Sequence, residues 1–293
     1  MESILLLFPD DILTLITRKL LLDDLYLLLQ LYNKELTRRL YRSVDDIEQN
    51  DCPFFNRLDL FVNLRKLVLI SDMISISILP KNLTHLEYEG VHLTDERVGL
   101  LPRTLVHLNL EDCVDLTDEC VGLLPRNLTY LNLSRSVELT SKCVSLLPRN
   151  LTDLDLSSVC SLTDECISLL PESLTYLYLS CSTALTDECI GLLPRGLVCL
   201  DLHCNSNLTD KCVGSLPRSL TYLDINCGED FTDDCVSMLP RCLTYLDLSL
   251  NDNLTNDCIG SLPRSLTYLD LYCNTEINKE LIEEMIPSIE HII

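Results

Sequence analysis

Residues Leu116–Ser134 read LTDECVGLLPRNLTYLNLS, and residues Leu139–Ser157 read LTSKCVSLLPRNLTDLDLS. The second stretch is nearly the first again, displaced by 23 residues. Self-alignment puts Pro102, Pro125, Pro148, Pro171, Pro194, Pro217, Pro240 and Pro263 in one column at that spacing. A fixed period of about 20–50 residues signals stacked repeats, because one such unit cannot bury its apolar face alone and must lay it on its neighbours. Counted from the first leucine of each strand phrase, the units begin at Leu64, Leu83, Leu105, Leu128, Leu151, Leu174, Leu197, Leu220, Leu243 and Leu266. The first is 19 residues long, the second 22, and the last leaves the pattern after Asn274.

Each unit divides into a strand, a turn and a short helix. In Leu128–Leu133 the leucines stand at the first, fourth and sixth places, which suits a short strand with one face buried. After the turn, Thr117 is placed to cap a helix, and Asp118 and Glu119 fall in its first turn, where the helix dipole favours anions. Cys120, Val121 and Leu124 make a buried stripe, and Pro125 ends the helix.

The phrase L-x-x-L-x-L followed by a helical half-turn resembles the leucine-rich repeat, and L-T-D-E-C is similar to the cysteine-containing repeats of F-box proteins. The resemblance implies an α/β horseshoe solenoid over residues 64–286, with a parallel sheet on the concave face and short helices outside. The remainder divides into a helical head, 1–63, and a C-terminal tail, 287–293. Asn205, Asn251, Asn274 and Cys113 stand at the ninth place, where the family keeps an Asn/Cys ladder; other units depart from it.

The head contains two amphipathic segments. Pro9 suits a first helical turn, with Ile12, Leu13, Ile16 and Leu20 forming one stripe, and a second start follows Asp23–Asp24. Phe8-Pro9-Asp10-Asp11-Ile12-Leu13, then Leu20 and Asp23-Asp24-Leu25, resemble an F-box, although Phe8 replaces the opening leucine and the later Cys and Trp of that module are missing. The resemblance implies that Phe8, Pro9, Ile12, Leu13, Ile16 and Leu25 bind a Skp-type adaptor of a cullin–RING ubiquitin ligase while the repeats select its substrate. The alternative is a solenoid cap without a ubiquitin link. The regular LPRxLTYLDLS units also look like those of proteins from giant DNA viruses of amoebae, which would make the substrate a host protein.

Stacking turns each place of the unit into a column. The third place reads Lys66, His85, His107, Tyr130, Asp153, Tyr176, Cys199, Tyr222, Tyr245, Tyr268, and the fifth reads Val68, Glu87, Asn109, Asn132, Asp155, Tyr178, Asp201, Asp224, Asp247, Asp270. Both project opposite the leucines, so Tyr130, Asp155, Tyr176, Tyr178, Asp201, Tyr222, Asp224, Tyr245, Asp247, Tyr268 and Asp270 are the candidate substrate-binding residues. Aromatic anchors beside carboxylates fit a protein partner with a basic surface. Within the opening phrase the variable places Tyr130, Asn132 and Ser134 are expected to carry the binding information. The arginines after the prolines, from Arg103 to Arg264 and broken by Glu172, read as a solvated edge whose repulsion nearby carboxylates relieve.

Composition excludes other classes. Lys and Arg number 22 against 45 Asp and Glu, a formal charge of −23 that repels phosphate backbones. Residues 1–63 carry 7 basic and 11 acidic side chains, so the repeats hold most of the excess. The run Ile4–Phe8 follows Glu2 and is too short for a signal core or a membrane span, so a reduced cytoplasmic or nuclear setting is expected, or host cytoplasm for a viral protein. In that setting the 16 cysteines are free thiols. Six N-x-S/T sequons, from Asn82 to Asn253, are by-products of the repeat. Cys120 and its counterparts at the sixteenth place read as small core residues. Cys181, Cys204 and Cys227 at the eighth place lack the close pairing of zinc ligands. Cys199 and His203 lie about 13 Å apart along one strand, too far for a nucleophile–base pair. No catalytic residue, metal or cofactor is assigned, and the chain is expected to be a non-catalytic monomer outside its complex.

Overall fold

The computed structural model describes residues 46–48, 64–69, 76–88, 92–226 and 231–293. Within them, twelve strands form one parallel sheet in chain order. They are β1 (Asp46–Glu48), β2 (Lys66–Leu69), β3 (His85–Tyr88), β4 (His107–Asn109), β5 (Tyr130–Asn132), β6 (Asp153–Asp155), β7 (Tyr176–Tyr178), β8 (Cys199–Asp201), β9 (Tyr222–Asp224), β10 (Tyr245–Asp247), β11 (Tyr268–Asp270) and β12 (His291–Ile292). Each third place pairs with the next third place, as in Tyr222↔Tyr245↔Tyr268. This register makes the sequence columns physical rows. The solenoid is thus the fold that the period implies.

Two boundaries differ from the sequence reading. The segment taken as a tail supplies β12, in which His291 pairs with Tyr268 and Ile292 with Leu269. Ile289 stands 23 residues after Leu266, so I-x-x-I repeats the period with isoleucine in place of leucine. At the other end β1 pairs with β2 although it falls inside the stretch read as a helical head. The helices proposed for residues 8–40 lie outside the described residues.

Short helices alternate with the strands, including α1 (Asp95–Val98), α2 (Asp118–Leu123), α3 (Lys142–Leu146), α4 (Asp164–Ile167), α5 (Asp187–Ile190), α6 (Asp210–Val213) and α7 (Asp233–Met238). The leucines of the strand phrase and the Cys-Val or Cys-Ile pair of α2 to α7 fill one continuous core, with Val98 of α1. Burial pushes the thiols of Cys143 and Cys189 up to about 12, so they remain protonated and pack as small apolar groups.

Polar groups between coils are tied by repeated rungs. Thr117, Thr186, Thr209, Thr232 and Thr255 cap their helices as the sequence indicates, accepting from the backbone N–H two residues on. Each is itself held by the aspartate that opens the preceding helix. Asp187, for example, accepts the Thr209 N–H at one carboxylate oxygen and the Thr209 hydroxyl at the other, both at 2.7 Å. The same pair of bonds joins Asp95 to Thr117, Asp118 to Thr140, Asp164 to Thr186, Asp210 to Thr232 and Asp233 to Thr255. In the phrase LTSKC, Ser141 replaces the aspartate, and its hydroxyl oxygen accepts the Thr163 N–H at 3.0 Å.

The arginine column also has a structural role, and not the one expected of it. Arg126 donates to the carbonyl of Gly122 in its own coil and to that of Leu146 in the next, at 2.7 and 2.8 Å. Arg103, Arg149, Arg195, Arg218 and Arg241 make the same two-carbonyl clamp. Helix C-terminal carbonyls, rather than carboxylates, therefore balance this column.

The turns after β4 to β8, β10 and β11 place their eighth residue in the left-handed region without glycine: Asp112, Arg135, Ser158, Cys181, Cys204, Leu250 and Cys273 have φ of 58° to 70°. That conformation costs a non-glycine residue about 1–2 kcal/mol. Burying several leucines per coil at about 1.5–3 kcal/mol each outweighs it.

Candidate functional site

The sheet face opposite the leucines is the open one. Along each strand the fourth place is buried, whereas the third and fifth are mostly intermediate, as in the pattern of β9 through β11. The third-place row forms two aromatic ladders. In the first, His85 stacks on His107 and His107 on Tyr130, with ring centroids 5.4 and 3.9 Å apart. In the second, Tyr222, Tyr245 and Tyr268 stack at 4.1 and 4.4 Å, and His291 leans on Tyr268 at 6.3 Å. Asp153, Tyr176 and Cys199 separate the two. Tyr176, 42% exposed, has non-aromatic neighbours at its own place on both sides.

Stacking hides most of each ring face and leaves the hydroxyl ends in a row. Burial, together with the hydrogen bond to Tyr222, raises the Tyr245 phenol far above its usual range, and burial raises Tyr222 to about 12. Both stay protonated and act as hydroxyl donors and acceptors. Burial and the neighbouring His85 lower the pKa of His107.

The fifth-place row carries the charge. Asp155, Asp201, Asp224, Asp247 and Asp270 each accept the N–H two residues on, at 2.8 to 3.0 Å. Asn109 and Asn132 do the same in their units. The carboxylates therefore close the turn that ends the strand, a role that the spacing did not reveal; the signal for it was the interchange of Asp and Asn, which both supply an acceptor oxygen. One oxygen of each carboxylate remains outside that bond. Burial raises Asp201, and burial, with Asp247 and Asp201 beside it, raises Asp224 to about 6. Among the described residues no lysine or arginine forms an ion pair with this row; the His203 ring nitrogen lies 4.0 Å from Asp224.

Of the candidate residues, the structure brings Tyr222, Tyr245 and Tyr268 together with Asp201, Asp224, Asp247 and Asp270 as one patch. Asp155 lies two strands from it, and Tyr130 belongs to the first ladder. Tyr178 interrupts the carboxylate row, its hydroxyl 3.8 Å from the Cys199 thiol. Phe8, Pro9, Ile12, Leu13, Ile16 and Leu25 lie outside the described residues. The expectation for Asn132 and Ser134 is corrected: both are buried, and Asn132 accepts the Ser134 N–H at 2.8 Å. Cys199 and His203 do not meet, since the thiol faces Tyr178 and the imidazole faces Asp224. Among the described residues no three His, Cys, Asp or Glu side chains converge as a metal site, and no helix is long and apolar enough to cross a membrane.

A family model described as Leucine Rich repeat matches residues 240–257. No curated protein sequence matches the chain significantly. Among solved structures, the leucine-rich repeat-containing protein LegL7 from Legionella pneumophila is similar with a TM-score of 0.52 at 20% identity, over 78% of this chain and 89% of its own. A chain of the Rad7 and Elc1 complex in yeast gives 0.56 at 18% identity, over 97% and 87%. CroV588, a circular LRR protein, gives 0.50 at 19% identity, over 85% of this chain and 39% of its own. Together with the parallel sheet and its in-register columns, these likenesses define the fold: a leucine-rich-repeat solenoid.

Proposed function

We propose that this solenoid is the substrate-recognition subunit of a cullin–RING ubiquitin ligase, its head holding a Skp-type adaptor and its open sheet face holding a basic segment of a substrate protein. The observation that carries the substrate half is the carboxylate row from Asp201 to Asp270, half-buried beside stacked tyrosines and without lysine or arginine ion-pair partners among the described residues. Partly desolvated anions at strand spacing repel one another, and a cationic partner relieves that repulsion. The adaptor half rests on the likeness of Phe8–Leu25 to an F-box. The fold similarity to a chain of the Rad7 and Elc1 complex is compatible with such an assembly and adds no contact residue.

A second reading, an interaction scaffold whose head only caps the solenoid, is favoured by β1, which extends the sheet from within the head segment. Co-purification with a Skp-type adaptor separates the two, comparing the intact chain with a Pro9→Ala/Ile12→Asp variant. Recovery of adaptor with the intact chain and its loss in the variant supports the ligase reading. Absence of adaptor from the intact chain removes it and leaves the scaffold.

A further inference from the structure

Cys181 and Cys204 occupy the eighth place of consecutive coils, both with φ of 58°. The Cys181 N–H donates to the His203 carbonyl and the Cys204 N–H to that of Asn226, each at 2.8 Å, so the two turns lie in register. Equivalent places on neighbouring coils are separated by about one strand spacing, ~4.8 Å. That falls within the range of about 4.4–6.8 Å between the Cα atoms of disulfide-bonded cysteines. The two side chains are neighbours, Cys181 being among the groups that act on the Cys204 thiol. They are also accessible: Cys204 is exposed and Cys181 half-buried, whereas the helix cysteines of the same coils, Cys189 and Cys212, are buried.

We propose that Cys181 and Cys204 form a reversible disulfide, a modification site on the rim of the open face that closes with a low-molecular-weight disulfide as oxidant. In the first step the Cys181 thiolate attacks one sulfur of oxidised glutathione, forming a protein–glutathione disulfide and expelling one glutathione thiolate. In the second, Cys204 gives its proton to solvent and attacks the Cys181 sulfur, forming the Cys181–Cys204 bond and expelling the other glutathione thiolate. Two protein thiols are oxidised, one glutathione disulfide is reduced to two thiols, and the two protons lost by the cysteines end on the two glutathiones. Burial and the adjacent Cys181 push the Cys204 thiol up. Exposure, and the left-handed turn at both ends, place the bond among those that small thiols reopen. It joins the coils that begin at Leu174 and Leu197, at the seam where Tyr176 and Cys199 interrupt the aromatic row.

The full chain, incubated with oxidised glutathione and digested without reduction, is mapped by mass spectrometry. The expected result is a Cys181–Cys204 linked peptide with two free thiols lost per chain, restored by dithiothreitol. In Cys204→Ser, Cys181 should instead retain glutathione. The oxidised intact chain should melt at a higher temperature than the reduced one, a shift that the variant lacks. The mapping of the intact chain stands whether or not the variant folds. Linkage of Cys204 to Cys160 or Cys227, cross-linking between chains, glutathione persisting on Cys181 in the intact chain, or no loss of thiols would each overturn the proposal.

Discussion

Two rows of aspartate run along this solenoid and do different work. On the helix edge, Asp95, Asp118, Asp164, Asp187, Asp210 and Asp233 each commit both carboxylate oxygens to the threonine of the next coil. On the open face, Asp201, Asp224 and Asp247 each accept an N–H of their own coil, and the three carboxylates neighbour one another from coil to coil. The same side chain is a fastener on one edge and an unneutralised charge on the other. What separates them is the identity of the neighbour: a hydroxyl and an N–H donor in the first case, another carboxylate in the second.

Breaking a fastener should have the largest effect. Asp187→Ala leaves the Thr209 N–H and hydroxyl without their acceptor, and we expect a loss of about 2 kcal/mol in urea denaturation. Asp187→Asn should lose less, because Asn256 already holds the Asn278 N–H at 2.7 Å in this role.

The open-face row should show the opposite sign. Burial pushes the Asp224 carboxyl up to about 6, from the ordinary aspartate value of 3.8. Between those values the folded state holds more protons than the unfolded one, so this residue's contribution to stability declines as pH rises through that window. Asp224→Asn keeps an acceptor for the Asn226 N–H and removes the charge. We expect the variant to gain about 1 kcal/mol at pH 7 and nothing at pH 4, read from denaturation at both values. The same substitution should weaken binding of a lysine-rich peptide at low salt, and titrating the peptide into both proteins tests the open face directly.

Smaller effects sharpen the contrast between the ladders and the clamps. Tyr245→Leu removes the centre of the second ladder while keeping apolar area, and should cost about 1 kcal/mol in thermal unfolding. Glu172→Arg restores the missing clamp between the carbonyls of Ser168 and Leu192, and should add about 0.5 kcal/mol by the same measurement.

Much of this architecture was legible because the repeat period fixes register once the strand place is known. Leu131 and Cys120 announced the core, Thr117 the cap, and the third and fifth places the open face. What stayed hidden is what one coil does to the next. Asp118 looked like a residue serving its own helix dipole, and only the fold shows that it reaches Thr140, 22 residues on. Arg126 looked like solvated charge because its partners are carbonyls, which no side-chain pattern reports. β12 was missed because Ile289 and Ile292 keep the period but not the leucines. Asn132 and Ser134 failed as binding residues because variability between copies was taken for exposure, whereas the turn buries both.

The rungs have a consequence for how such a chain can change in length. Every fastener, clamp and threonine bond runs from one coil to the next at a constant offset, so removing Leu174–Gly196 as a block would let Leu151's coil meet Leu197's with the same partners in place. Gain or loss of a whole 23-residue block should therefore preserve every row, while the 19- and 22-residue units at Leu64 and Leu83 show that a shortened coil still keeps strand register. Each such event shortens or lengthens the open face by one strand spacing, about 4.8 Å. The near-identity of the copies makes the footprint on a partner a quantity adjustable in fixed steps by duplication.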